Sequence, residues 1–321
     1  MDSPAPIYLD CDTGIDDALA IGYLLKTPAV EVVGIGTVSG NTSAGQAAEN
    51  TLRLLGVAGR SDIRVAVGEH DWLAQPYGGG AAHVHGDNGI GGTELPSVQQ
   101  HPIDESAVDL LLRLSHEHSG TLRIVATGPL TNLARALERD PSLPERIAEV
   151  VAMGGAALAP GNITPVAEAN IFHDPEAAQV VVSADWDVIL VPLDITMQHV
   201  FDEGHQGALL DSGDPLARAL GDMLGHYFDY YQGVFGRRSS ALHDPLAAAI
   251  AAGVVRLTRA PAVPVEVDTT GGPGRGQTIV DMRMQRAGHV DHPEVRTRVA
   301  LDVDPEDFAS HLLGVLLGTP A

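Results

Sequence analysis

Short apolar runs alternate with stretches of helical spacing along most of the chain. Ile7 to Cys11 reads as a strand and Asp16 to Lys26 as the helix after it. Glu31 to Val38, rich in Val and Ile, predicts a second strand, and Ala44 to Leu55 a second helix. Leu122 to Ala126 has the apolar density of a buried strand and leads into helical spacing from Leu130 to Glu138. Val150 to Met153 and Val188 to Val191 predict further buried strands. Near-continuous apolar strands separated by helices predict an α/β fold, a mostly parallel open sheet with helices on both faces in the Rossmann-like manner. Val263 to Val267, Thr278 to Met284 and Val295 to Leu301 read as a small antiparallel addition, with a final helix from Pro305 to Leu317. No internal repeat and no Pro/Gly linker divides the chain, so residues 1–321 are expected to form one domain.

Two segments break this rhythm. His70 to Pro96 is rich in Gly and His and has no period, the mark of a functional or mobile loop. Between Asp222 and Phe235 lie Tyr227, Phe228, Tyr230, Tyr231 and Phe235, five residues of a chain that is only 4% aromatic. Four aromatics in five positions cannot all face one core, so some are expected to stack on a ligand or close a pocket.

Composition narrows the function. With 19 Lys and Arg against 42 Asp and Glu, the net charge of −23 argues against nucleic acid or an anionic membrane as partner. Cys11 is the single cysteine, which leaves neither an intramolecular disulfide nor a cysteine zinc site. The first residues lack a basic segment followed by an apolar one, so a cytoplasmic protein is expected.

The string Asp10-Cys11-Asp12-Thr13-Gly14-Ile15-Asp16-Asp17 carries the chemistry. Side chains alternate along a strand, so Asp10 and Asp12 are expected to share a direction, at the strand end where open α/β sheets bind ligands. Asp16 and Asp17 open the next helix, where acidic residues are favourable in any case. Four carboxylates at one junction raise one another's pKa unless a cation neutralises them, and Ca²⁺ or Mg²⁺ fits oxygen ligands. One alternative is a haloacid dehalogenase-like phosphatase, which also uses Asp-x-Asp at a first strand, although here Thr13 stands one residue early.

Asp10-x-Asp12-x-Gly14-x-Asp16-Asp17-Ala18 resembles the opening of the inosine–uridine-preferring nucleoside hydrolases, ribonucleoside N-ribohydrolases that usually have Pro at the place of Thr13. Gly40-Asn41, His85-Gly86-Asp87-Asn88-Gly89, Ala126 to Asn132, Met153-Gly154-Gly155, Gly161 to Asn170, Asp174-Pro175-Glu176-Ala177 and His243-Asp244-Pro245-Leu246 follow in the family's order. The matches span residues 8 to 246.

The resemblance implies Ca²⁺-dependent hydrolysis of the N-glycosidic bond of ribonucleosides, with inosine/uridine-type or pyrimidine-leaning specificity and a place in nucleoside salvage. It implies Ca²⁺ held by Asp12, Asp17, Asp244 and the Thr127 carbonyl, completed to about seven or eight oxygens by the ribose diol and water. Asp12 would act as general base, and His243 would assist the leaving base. Asp16, Asn41, Asn162, Glu168 and Asn170 would bind ribose, Met153 would pack beneath it, and His85, Tyr227 and Tyr231 would line the base site. A homodimer or homotetramer is also implied. A Ca²⁺-dependent nucleoside-binding protein without catalysis is the remaining alternative.

Overall fold

The structure, a computed structural model, describes residues 3–288, 290–305 and 307–319. The chain opens with β1 (Ala5–Cys11), α1 (Ile15–Lys26), β2 (Val30–Thr37), α2 (Ala44–Val57) and β3 (Val65–Val67). Next come α3 (Ala82–His85), α4 (Ala107–Glu117), β4 (Leu122–Ala126), α5 (Thr131–Arg139) and β5 (Ile147–Met153). They are followed by α6 (Ala169–His173), α7 (Pro175–Ser183), β6 (Val188–Val191), α8 (Leu193–Thr196), β7 (Val200–Asp202) and α9 (Glu203–Leu210). The long α10 (Pro215–Phe235), β8 (Ser239–Ala241) and α11 (His243–Ala251) lead to β9 (Arg256–Arg259), β10 (Val265–Val267), β11 (Thr278–Val280), β12 (Thr297–Val299), β13 (Asp302–Asp304) and α12 (Phe308–Leu317).

Seven strands form one parallel sheet in the order β12-β6-β5-β4-β1-β2-β3. Strand alternation divides the core between its two faces. Ile7, Leu9, Val125, Val151, Met153, Ile189 and Val191 pack with residues of α1, α10, α11 and α12. Tyr8, Ile124, Ala126, Val150, Ala152, Val188 and Leu190 pack with α4, α5 and α7. Both faces are therefore covered, which is why these strands carry so few polar positions. Side-chain caps mark the helix starts: Ser43 on α2, Ser106 on α4 and Asp214 on α10 each accept a first-turn amide.

The antiparallel expectation holds for β10 with β11, but Val295 to Leu301 does something else. Its β12 joins the edge of the main sheet parallel to β6. Two further small pairs, β7 with β8 and β9 with β13, are antiparallel. His70 to Pro96 is irregular apart from the single turn of α3. The aromatic segment is the last part of α10, with Tyr227, Phe228 and Tyr231 buried. No helix among the described residues is long and apolar enough to cross a membrane.

Candidate active site

The site lies beyond the carboxyl ends of the central strands, where α1 and α11 both begin. The two helices pack together, and their N-termini bring Asp16 and Asp17 against Asp244. Carboxylates are favoured there by the helix dipoles. Each of the three offers an oxygen within 4.8 Å of the others. Asp17, in the first turn of α1, also reaches back to the helix start, its carboxylate accepting the amide of the N-cap residue Gly14 at 2.7 Å. The turn that allows this is crowded. A Cβ at Gly14 would lie 2.6 Å from His85 Nδ1 and 2.7 Å from Asn41 Nδ2, so glycine is required by close approach.

Asp12 follows the last residue of β1 and is fully buried. Both of its oxygens accept from Asn41, from the backbone N–H at 2.6 Å and from Nδ2 at 3.1 Å. Asn41 Nδ2 also approaches Asp17 Oδ2 at 3.3 Å, so Asn41 ties the two carboxylates together. A Cβ at Gly40 would collide with Asp12, which explains the Gly-Asn pair after β2. Thr127, at the end of β4, donates its hydroxyl to Asp17 Oδ1 at 2.7 Å. Its carbonyl accepts from Asn170 Nδ2 at 2.8 Å.

Glu168, Asn170 and Met153 form the adjoining wall. Glu168 caps α6, and its carboxylate accepts the amides of Asn170, Gly155 and Ile171 at 2.9, 2.9 and 3.1 Å. Asn170 Nδ2 reaches Met153 O at 3.2 Å and Sδ at 3.4 Å, so Met153 is held under the cavity floor. Asn162 Oδ1 accepts the Ala169 amide at 3.0 Å, leaving its amide nitrogen for a ligand. Asp194 anchors the loop leading to Asn162, its carboxylate accepting the amides of Ala157, Leu158 and Ala159 at 2.7, 2.7 and 3.1 Å.

Opposite this wall stand the aromatics. Tyr227 and Tyr231 are one turn apart on α10, ring centroids 4.9 Å from each other, while Phe228 points into the core. Tyr231 Oη lies 2.6 Å from His243 Nε2. His85 sits with its ring 5.4 Å from Tyr227, and its Nδ1 accepts the Ile15 amide at 3.1 Å. Between them lies a cavity of about 130 Å³, lined by Asp16, Asn41, His85, Thr127, Met153, Asn162, Glu168, Asn170, Tyr227, Tyr231, His243 and Asp244 among others. A larger hollow of about 780 Å³ near Ile279 and Met282 is a surface depression away from this chemistry.

Among the described residues, no Lys or Arg lines the cavity. Burial and the neighbouring Asp17 hold the Asp16 carboxyl up at about 7, with Tyr227 acting weakly in the opposite direction. Asp12 and Asp244 are pushed well above the usual carboxylate range by burial and by the other carboxylates, and Asp17 is raised by burial. Burial drives His85 down to about 3 and His243 to about 4, so both rings are neutral near pH 7. Among the described residues, Asp16 Oδ1 and Asp244 Oδ2 are buried without a hydrogen-bond partner. Unpaired buried carboxylates are costly. An all-oxygen donor set without a counter-charge fits a hard divalent cation.

One expectation fails. Asp10 does not turn toward Asp12. It has the strand parity of Tyr8 and faces the α4 and α5 side, where Oδ1 accepts from Asn132 Nδ2 at 2.8 Å and Tyr8 Oη lies 3.4 Å away. Asp12 lies past the end of β1, so strand alternation no longer governs it. The fourth carboxylate of the junction is Asp244. The Asp-x-Asp pair is thereby split, which removes the physical basis for the phosphatase alternative. The sequence reading also overlooked three residues. His173 lines the cavity and stacks on Trp72 with centroids 4.9 Å apart. Asp194 and Thr196 come from α8, whose single turn shows no periodic signal.

Residues 7–310 match the profile described as inosine-uridine preferring nucleoside hydrolase. The inosine-uridine preferring nucleoside hydrolase of Crithidia fasciculata is 35% identical over 324 residues, covering 99% of each chain. A probable uridine nucleosidase 2 of Arabidopsis thaliana is 36% identical over 301 residues, 92% of this chain and 93% of the relative. Among solved structures, a plant nucleoside hydrolase superposes with a TM-score of 0.91 at 33% identity, covering 98% of this chain and 99% of the other. Sheet order, the acidic junction and near full-length similarity thus converge, and the chain belongs to the inosine–uridine preferring nucleoside hydrolase family.

Proposed function

We propose that the protein hydrolyses ribonucleosides, uridine and inosine among them, to ribose and free base with one Ca²⁺ per chain. The observation that carries this reading is the cluster of buried carboxylates Asp16, Asp17 and Asp244, to which Asn41 ties Asp12, beside a cavity lined by no Lys or Arg among the described residues. Asp17 and Asp244 would hold the cation, with Asp12 and the Thr127 carbonyl completing the protein's share and Asp16 shared with the ribose diol. When bound, Ca²⁺ supplies neutralising charge, acidifies a water and offers positions to vicinal hydroxyls.

The remaining work belongs to the side chains. Asp12, oriented by two hydrogen bonds from Asn41 and with its pKa pushed up by burial and by Asp17, takes the proton of the attacking water as general base. Asn170 and Asn162 address the sugar hydroxyls with donors and acceptors of fixed direction. Glu168, its carboxylate engaged by three amides, holds that wall rigid. At the other end, departure of the base leaves negative charge on its nitrogen, which Tyr231, hydrogen-bonded to His243, meets with a hydrogen-bond donor. The family's plant relative named as a probable uridine nucleosidase supports uridine as first substrate.

The test is a comparison of uridine with 2′-deoxyuridine, with ribose release as readout. The cation and the polar wall address the ribose diol, so uridine is expected to be cleaved with a kcat/KM at least about 10²-fold higher, the loss of about 3 kcal/mol of polar contacts. Equal kcat/KM overturns the ribose assignment. Binding of uridine without ribose release leaves a nucleoside-binding protein.

A further inference from the structure

His243 is held at both ring nitrogens by hydroxyl groups, and those two contacts decide which nitrogen carries the proton. Nδ1 lies 2.7 Å from Thr196 Oγ1 and Nε2 lies 2.6 Å from Tyr231 Oη. Thr196 is fully buried on α8 and His243 is 4% exposed, so no bulk water repairs an unmade bond. Among the described residues, His243 Nδ1 is the single side-chain hydrogen-bond partner of the Thr196 hydroxyl. If His243 carried its proton on Nδ1, Nδ1–H would donate to Oγ1 and the hydroxyl proton of Thr196 would be buried without an acceptor. If Thr196 donates to Nδ1, both groups are satisfied and the ring proton sits on Nε2. Buried polar groups adopt the arrangement that leaves none unpaired.

We infer that Thr196 locks His243 in its Nε2–H tautomer, so that Tyr231 accepts from His243 and presents its own hydroxyl proton to the departing base. Thr196 is thus a positioning residue that acts through His243 on Tyr231, which lines the cavity. The opposite tautomer would reverse the chain. Tyr231 would donate to Nε2 and turn oxygen lone pairs toward a nitrogen gaining negative charge. The interaction is hydrogen-bond donation throughout, and no proton leaves the imidazole. The neighbouring ring follows the same logic, because His85 Nδ1 accepts the Ile15 amide and must carry its own proton on Nε2. The catalytic consequence rests on the hydrolase reading above; the tautomer itself does not.

The tautomer is read directly by ¹⁵N NMR of histidine-labelled, Ca²⁺-loaded protein, with the His243 signals assigned by their loss in His243→Asn. A pyridine-type Nδ1 and a protonated Nε2 are expected, and a protonated Nδ1 overturns the inference. Kinetics test the consequence with Thr196→Val, which removes the hydroxyl at nearly constant shape, and Thr196→Ser, which keeps it. Thr196→Val is expected to lower kcat on uridine at least about tenfold with little change in KM. Its loss on 4-nitrophenyl riboside, whose phenolate leaves without help, is expected to be at least about tenfold smaller. Thr196→Ser is expected to restore uridine hydrolysis to within about threefold. Equal losses on both substrates, or a Thr196→Ser variant as poor as Thr196→Val, would reduce Thr196 to a packing residue. Wild-type protein inactive on all nucleosides would end the hydrolase reading, and the NMR would still decide the tautomer.

Discussion

Removing Ca²⁺ should destabilise the fold more at pH 8 than at pH 5. The perturbation is chelation, and the groups that respond are the buried carboxylates at the starts of α1 and α11. Burial and Asp17 raise the native pKa of Asp16 from 3.8 to about 7, whereas an unfolded chain ionises near the ordinary value. Such a group contributes stability below its unfolded pKa and loses it as pH rises through the folded one. Between pH 5 and pH 7 the metal-free native state retains a proton that the unfolded state has released, which costs about 3 kcal/mol for Asp16 alone. Asp12, Asp17 and Asp244 act in the same direction. Unfolding entropy of about 2.1 cal/mol/K per residue makes about 3 kcal/mol worth about 4 °C in a chain of this length. With cation bound, the carboxylates stay ionised and this loss disappears. The buried imidazoles of His85, His173 and His243 are depressed and favour the fold as pH rises, but they do so with and without metal. The assay is therefore the Ca²⁺-induced rise in Tm at each pH, by calorimetry in excess chelator and in excess Ca²⁺. That rise should be at least about 4 °C larger at pH 8 than at pH 5. An equal rise at both values, or a larger one at pH 5, would refute the reasoning.

The other expectations concern single residues. Asp12→Ala should lower kcat at least about 10²-fold on every substrate, as loss of a general base requires. His243→Ala should depress uridine hydrolysis far more than 4-nitrophenyl riboside hydrolysis; steady-state rates on the two substrates separate leaving-group assistance from a structural role, which would lower both alike. Asp194→Ala strips the carboxylate from three loop amides, a loss on the order of 2 kcal/mol of loop order. It should raise KM for uridine about 10- to 30-fold while changing kcat less. Asp10→Asn should leave Ca²⁺ affinity unchanged by calorimetric titration while Asp17→Asn abolishes it, because Asp10 faces Asn132 rather than the junction; equal losses would restore Asp10 to the site.

Much of this architecture is legible in the chain because its strands are buried on both faces. Leu122–Ala126 and Val188–Val191 coincide with their apolar runs residue for residue, since a parallel strand covered on both faces carries few polar positions. The error at Val295 to Leu301 has the opposite cause. β12 is three residues long at a sheet edge, and its pairing with β6 links segments more than 100 residues apart, which local pattern cannot encode. The site shows the same division. Asp12, Asp16 and Asp17 were visible as a string, and Asp244 followed from the ordered motifs. Alternation pairs Asp10 with Asp12 only when it is carried past Cys11, where β1 ends. Thr196 was invisible because its meaning lies in a partner 47 residues away, and a Thr in a one-turn helix carries no signal of its own.

The central claim is that the acidic junction works through a bound cation. It is tested most directly by the rate of ribose release from uridine at pH 7.5, measured on one protein sample before chelation, after chelation with metal content verified, and after Ca²⁺ is restored. The account predicts loss of at least about 10²-fold on chelation and full recovery with Ca²⁺, the range expected when water activation and sugar positioning fail together. An undiminished rate in protein shown to be metal-free would contradict it.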